Sequence, residues 1–138
     1  MDKYKVVIVD DDEVALKKLS IELRKNPYFS LDGTARNGKQ GEKLITKIQP
    51  DLLFLDVEMP DMTGLDLLHD LHDNISWGMR VVFYTAYEKY MIHAIRESVF
   101  DYLLKSFEGQ ELKNILTRFM AQMETEPKKV LPIGASLY

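Results

Sequence analysis

The chain has 138 residues, 46% of them hydrophobic, a formal net charge of −4 and no cysteine. That length suits one domain with a real core. The acidic balance argues against this chain gripping nucleic acid by itself, and the missing thiols exclude disulfides and thiolate metal sites.

In chain order, residues 6–9 read as a first strand, after which Ala15, Leu16, Leu19 and Leu23 recur at helical spacing until Asn26-Pro27 stops the helix. A weaker strand over residues 30–35 precedes a helix marked by Leu44, Ile45 and Ile48, which ends before Pro50. Residues 52–55 form a third apolar strand, and Leu65, Leu68 and Leu71 mark the third helix. The fourth strand covers 81–85 and is followed by a helix through Tyr90, Met91, Ala94 and Ile95. Residues 102–104 are a short fifth strand. The last helix carries Leu112, Ile115, Leu116, Phe119 and Met123 on one face. No hairpin signal joins neighbouring strands, so the strand–helix–strand connections require parallel pairing. Near-continuous apolar strands place helices on both faces of the sheet. The expected fold is a doubly wound α/β sandwich, a five-stranded parallel sheet with five helices, in which ligands sit beyond the carboxyl ends of the strands. No run approaches membrane-spanning length and no signal peptide is visible, so a soluble, cytoplasmic domain without membrane contact is expected.

The strand ends are polar in a patterned way. The first delivers Asp10 and Asp11, the third Asp56, the fourth Thr85 and the fifth Lys105. Any one of these alone reads as a solvated strand end. Together they put three carboxylates, a hydroxyl and an ammonium on the edge where this architecture binds ligands, and clustered like charge is costly without a cation. Oxygen donors without cysteine point to a hard, hydrated cation, Mg²⁺ before others. A carboxylate is also a competent nucleophile for phosphoryl transfer, which otherwise needs positioning and charge neutralisation. Asp56, alone at its strand end, is the best candidate nucleophile.

The segments VVIVDDDE, DLLFLDVEMPDMTG, VVFYTA and DYLLK, in this order, resemble the receiver domain of a two-component response regulator, with its flavodoxin-like fold, over residues 5 to about 123. The resemblance implies that Asp56 is the phosphoacceptor and that Asp11, Asp56 and the backbone carbonyl of Glu58 bind Mg²⁺ directly, with Asp10 acting through water. It implies that Thr85 and Lys105 hold the phosphoryl oxygens, that Tyr102 is the aromatic switch residue, and that small Ala86 leaves room for loop closure. The implied partners are a sensor histidine kinase and a second copy of the chain, the latter through the fourth helix, fifth strand and fifth helix. Such a domain assists its own phosphorylation and dephosphorylation without being a turnover enzyme. The stretch FYTAYEKYMIHAIRESVFDYLLKS further resembles receivers attached to LytTR-type DNA-binding domains. On that reading residues 1–123 are the receiver, and 124–138 are a linker and opening strand of an output domain through which DNA would be bound. The last helix should then end near Glu126, before Pro127, and the apolar tail should be extended.

Three residues at two places depart from the family pattern. Ser106 follows Lys105 where the family has proline in a cis bond; a cis bond before another residue costs about 2.5–4 kcal/mol, so a trans bond is expected here. Ser98-Val99 stands where Gly-Ala is common. Competing readings are a haloacid-dehalogenase-like phosphatase using Asp10 and Asp12 in acid-x-acid spacing, and a degenerate receiver that only docks. His69 and His72, one helical turn apart, are expected to be solvated rather than metal-bound. Trp77 is expected to anchor a loop, and Phe119, Met120 and Met123 to belong to the core or a dimer surface.

Overall fold

The computed structural model describes residues 2–125. Five strands alternate with five helices: β1 (Tyr4–Val9), α1 (Glu13–Arg24), β2 (Phe29–Ala35), α2 (Gly38–Ile48), β3 (Leu52–Leu55), α3 (Gly64–Leu71), β4 (Arg80–Thr85), α4 (Met91–Arg96), β5 (Asp101–Leu104) and α5 (Gly109–Thr125). All strand pairs are parallel and the order is β2-β1-β3-β4-β5. The chain runs outward from β1 to β2, then crosses back to β3 on the other side. The crevice beyond the carboxyl ends of β1 and β3 is therefore the topological switch point.

Strand alternation divides the interior into two cores. Val6 and Ile8 of β1 point with Phe54, Val82 and Tyr84 toward Leu19, Leu23, Leu116 and Phe119 of α1 and α5. Val7 and Val9 point with Leu53, Leu55 and Phe83 toward Ile45, Leu67, Leu71 and Ala94 of α2, α3 and α4. Period-2 side-chain direction, with full burial of β3, β4 and residues 6–9 of β1, thus follows from helices on both faces. Phe119 lies fully inside the first core, with Met120 and Met123 packed against it. Trp77 donates its indole N–H to the Pro50 carbonyl at 2.8 Å, tying the α3–β4 loop to the α2–β3 loop.

Helix starts are set by local chemistry. Asp12 caps α1, accepting from the N–H groups of Val14 and Ala15. Asn37-Gly38, a turn-like dipeptide, opens α2 instead of a hairpin, with the Asn37 side chain accepting from Gln40 N–H. Thr63 and Asp66 form a reciprocal capping box on α3. The fourth helical segment is shorter than the sequence pattern predicts: a 3₁₀ turn over Glu88–Tyr90 leads into the six residues of α4. Among the described residues no helix is long and apolar enough to cross a membrane. α5 continues to Thr125, the last described residue; the expected helix end near Glu126 and the extended tail lie outside the described residues.

The end of α4 explains the Ser98-Val99 departure. Ser98 sits at φ 53°, in the left-handed region. Its N–H bonds the Ile95 carbonyl at 3.1 Å, and Val99 N–H bonds the Ala94 carbonyl at 3.1 Å. This is a Schellman closure, whose left-handed residue is normally glycine because a Cβ is disfavoured there. Val99 supplies the accompanying apolar contact by packing into the second core. Ser98→Gly should therefore stabilise the protein by about 1 kcal/mol. Urea unfolding should show a higher midpoint at unchanged slope, and an unchanged or lower midpoint would contradict this account of the turn.

Candidate functional site

The carboxyl ends of β1, β3, β4 and β5 bring the predicted residues together. Asp10 is fully buried, Asp56 is 4% exposed and Thr85 is fully buried. Carboxylate oxygens of Asp10, Asp11 and Asp56 lie within 4.8 Å of one another. Lys105 spans this cluster: its Nζ donates to Asp10 Oδ1 at 2.9 Å and to Asp56 Oδ2 at 3.1 Å, and stands 3.8 Å from Asp12 Oδ2. The lysine reaches the site because its N–H continues the sheet, donating to the Thr85 carbonyl at 2.9 Å. The described residues contain no cis peptide bond, so Lys105–Ser106 is trans, as expected from the missing proline.

Each acid is held differently. Asp10 Oδ1 also accepts the Asp12 N–H at 2.9 Å, while Asp10 Oδ2 is buried with no partner. A buried carboxylate oxygen without a donor is rare and marks a place for a cation or an ordered water. With the neighbouring oxygens of Asp11 and Asp56, the donor set is all-oxygen and suits Mg²⁺. Asp56 Oδ1 receives the Glu58 N–H at 3.4 Å. Gly64 starts α3 directly against the Asp56 backbone: a Cβ there would stand 2.4 Å from the Asp56 carbonyl oxygen. Glycine at that position lets β3 end, turn and meet α3 so closely.

Electrostatics follow the packing. Burial first, and then the hydrogen bond and charge of Asp10, push the Asp56 carboxyl up to about 7, against the pull of Lys105. Burial acts to lower Lys105, but its bonds and charge contacts with Asp10 and Asp56 outweigh this and hold it above the ordinary lysine value. Tyr84 lies below the site with its hydroxyl donating to the Ala15 carbonyl at 2.8 Å. Burial and the charges of Asp10, Asp12 and Asp56 raise this phenol, keeping it a neutral donor.

The residues expected to switch line the β4–α4 loop and β5. Thr85 Oγ1 accepts the Tyr87 N–H at 3.3 Å. Ala86 is exposed, and partly buried Tyr102 donates its hydroxyl to the Tyr87 carbonyl across the same loop. His69 bonds Glu97 at 3.1 Å and His72 is exposed at the end of α3, so the two histidines do not converge.

Three supporting residues were invisible at the level of motifs. Lys18 donates to the carbonyls of Lys105 and Phe107, both at 2.8 Å. Arg36 donates to the Asp11 carbonyl, with its Nη2 at 2.9 Å. Asp61 accepts the N–H groups of Gly38 and Lys39 at 2.8 and 3.0 Å, and these bonds hold its carboxyl below the usual range. Each joins residues far apart in the chain, and no local spacing signals such a pairing.

Residues 6–117 match the response regulator receiver domain family. The chain is 34% identical over 128 residues to the transcriptional regulatory protein BtsR of Escherichia coli strain K12, covering 93% of this chain and 53% of that protein. It is 38% identical over 114 residues to an uncharacterized response regulatory protein of Yersinia pestis, covering 83% and 47%. Among solved structures, the response regulatory domain of mrkE from Klebsiella pneumoniae superposes with a TM-score of 0.80 at 25% identity, covering 88% of this chain and 99% of that one. The receiver domain of AraT from Geobacillus stearothermophilus gives 0.77 at 26%, covering 88% and 95%. A doubly wound sheet with an acid cluster and a lysine at its switch point defines a receiver. This chain belongs to the response regulator receiver family, and it spans about half the length of the curated relatives it matches.

A titration prediction follows from Asp56. An aspartate in an unfolded chain titrates near pH 3.9, whereas folding raises Asp56 to about 7, so between these values the native state binds more protons and stability falls as pH rises. In metal-free buffer, Asp56→Asn should be more stable than wild type at pH 8 by on the order of 1–3 kcal/mol, the gap narrowing toward pH 5. Equal urea midpoints at pH 8 would contradict the raised carboxyl.

Proposed function

We propose that the chain receives a phosphoryl group on Asp56 from the phosphohistidine of a sensor histidine kinase. The observation that carries this reading is the Asp56 carboxylate, buried at the end of β3 and clustered with Asp10 and Asp11, with Lys105 donating to it at 3.1 Å. An oxygen of Asp56 forms the new bond to phosphorus. The phosphorus–nitrogen bond of the donor breaks, and its electron pair leaves on the imidazole. Lys105 Nζ and Thr85 Oγ1 then serve the oxygens of the transferred group, which disperses charge where it develops. Asp11, Asp56 and the Glu58 carbonyl would hold Mg²⁺, with Asp10 acting through water. The ion supplies neutralisation of a phosphate approaching three carboxylates.

Capture of a phosphoryl oxygen by Thr85 would draw its loop inward past small Ala86 and release Tyr102 from the Tyr87 carbonyl. Moving mostly from one state to the other requires a bias of about 5 kcal/mol. The surface so biased carries exposed Tyr87, Met91, Ile92 and Ile95, and it is the face through which an active homodimer would form. The output would be a DNA-binding domain, of LytTR type by sequence resemblance, acting in the cytoplasm. Names of relatives such as the transcriptional regulatory protein BtsR support control of transcription. Turnover of phosphoesters is not expected. The phosphatase alternative loses support because Asp12 Oδ1 is committed to capping α1, leaving its acid-x-acid pair incomplete.

With Mg²⁺ and acetyl phosphate, intact-mass spectra should show one added phosphoryl group on wild type and none on Asp56→Asn. Undiminished labelling of that variant would overturn the site. Asp11→Ala should label more slowly at limiting Mg²⁺, and an equal rate there would remove Asp11 from the ligand set. Sedimentation should show dimers in the presence of a beryllofluoride phosphate mimic; an unchanged monomer would argue against the proposed face.

A further inference from the structure

We infer that Lys18 of α1 is a positioning residue that fixes the β5–α5 turn and thereby aims Lys105 at Asp56. The turn has lost the proline of the family pattern, and its Lys105–Ser106 bond is trans. Its backbone is held by one bond that continues the β4–β5 ladder, Lys105 N–H to the Thr85 carbonyl, and by one bond across the turn, Phe107 N–H to the Leu104 carbonyl, both 2.9 Å. The carbonyls of Lys105 and Phe107 accept from no backbone N–H among the described residues. The Lys18 ammonium satisfies both, at 2.8 Å each, and lies 4.1 Å from the centre of the Phe107 ring. Phe107 in turn packs edge-on against Tyr84, the phenol anchored to α1 through the Ala15 carbonyl.

A single cation thus clamps the two residues that flank Ser106 and ties them to the helix whose N-terminus follows Asp10 and Asp11. Because Lys18 is half-buried and its donors are spent on carbonyls and a ring face, its charge is applied to the loop instead of to solvent. Charge-assisted bonds of this kind restrict a turn more than neutral ones do. Lys18 does not reach the carboxylates; it acts through the backbone of the residue that does.

For its kinetic arm the inference rests on Asp56 being the phosphoacceptor; its spectroscopic arm does not. Lys18→Met keeps the apolar stem over Phe107 and removes the donors. It should slow acetyl phosphate labelling on the order of tenfold, the scale expected from small misplacement of a reacting group. Lys18→Arg, which can still donate to both carbonyls, should recover most of the rate. Lys18→Met added to Lys105→Met should cause no further loss, because a positioning residue has nothing left to position. In ¹H–¹⁵N spectra of lysine side chains, the Lys105 ammonium signal should shift and broaden in Lys18→Met and return in Lys18→Arg. Should Lys18→Met lose cooperative unfolding, Lys18→Leu, which is likewise apolar and carries no donor, replaces it in each arm. An unchanged Lys105 signal, or a rate loss that adds in full to that of Lys105→Met, overturns the inference. Failure of wild type to accept phosphate would overturn the phosphoacceptor reading, while the Lys105 signal would still decide the role of Lys18.

Discussion

Three carboxylates on one sheet edge repel, and the Lys105 ammonium that spans Asp10 and Asp56 is what the folded chain itself sets against that repulsion. At about 4 Å and an effective dielectric near 20, each unit-charge pair is worth about 4 kcal/mol. One lysine faces three acids: burial first, and then Asp10, raise the Asp56 carboxyl against the pull of Lys105, and an oxygen of Asp10 stays buried without a donor. On the proposed function the deficit has a use. It makes room for a divalent cation and for a group that carries oxygens of its own, and both would relieve a strain already present in the fold.

The site stands on loops, yet the loops are not left to themselves. The β1–α1 loop is held by Arg36 on the Asp11 carbonyl. The β3–α3 loop is held by Asp61 on the N-terminus of α2, where two free N–H groups favour an anion. The β5–α5 turn is held by Lys18. In every case a charged side chain joins the loop to another element by bonding backbone groups: Arg36 and Lys18 reach carbonyls of the loop, and Asp61 reaches out from its loop to N–H groups of α2. The clustered polar groups therefore sit at strand ends with the backbones of their loops fixed by rigid neighbours. By contrast, the β4–α4 loop is tied by the Tyr102 hydroxyl and the Tyr87 N–H, two neutral bonds that end on the residues expected to move.

Much of this was legible in the sequence, for physical reasons. The apolar strand at residues 52–55 ends abruptly at Asp56, and strand periodicity fixes which end of the sheet each acid occupies; that was enough to gather Asp10, Asp11, Asp56, Thr85 and Lys105. The trans bond at Ser106 followed from the cost of the alternative. The short α4 was not legible, because Tyr90 and Met91 fit a helical pattern whether the first turn is 3₁₀ or α. The role of Ser98 as a left-handed cap was equally hidden: serine carries no signal for that conformation, although its replacement of glycine hinted at the place. Lys18, Arg36 and Asp61 were out of reach because each acts on the backbone of a distant segment, where the identity of the contacted residue is irrelevant.

On the proposed function, Lys105 and the acid cluster form one pocket, short of positive charge, that a cation and a phosphoryl group would complete. A crystal structure with Mg²⁺ and beryllofluoride tests it most directly. The account predicts the metal among Asp10, Asp11 and Asp56, the beryllium on an Asp56 oxygen, and Lys105 and Thr85 within hydrogen-bond reach of its fluorides. Lys105 still bridging Asp10 and Asp56, with the mimic bound at any other residue, would contradict it.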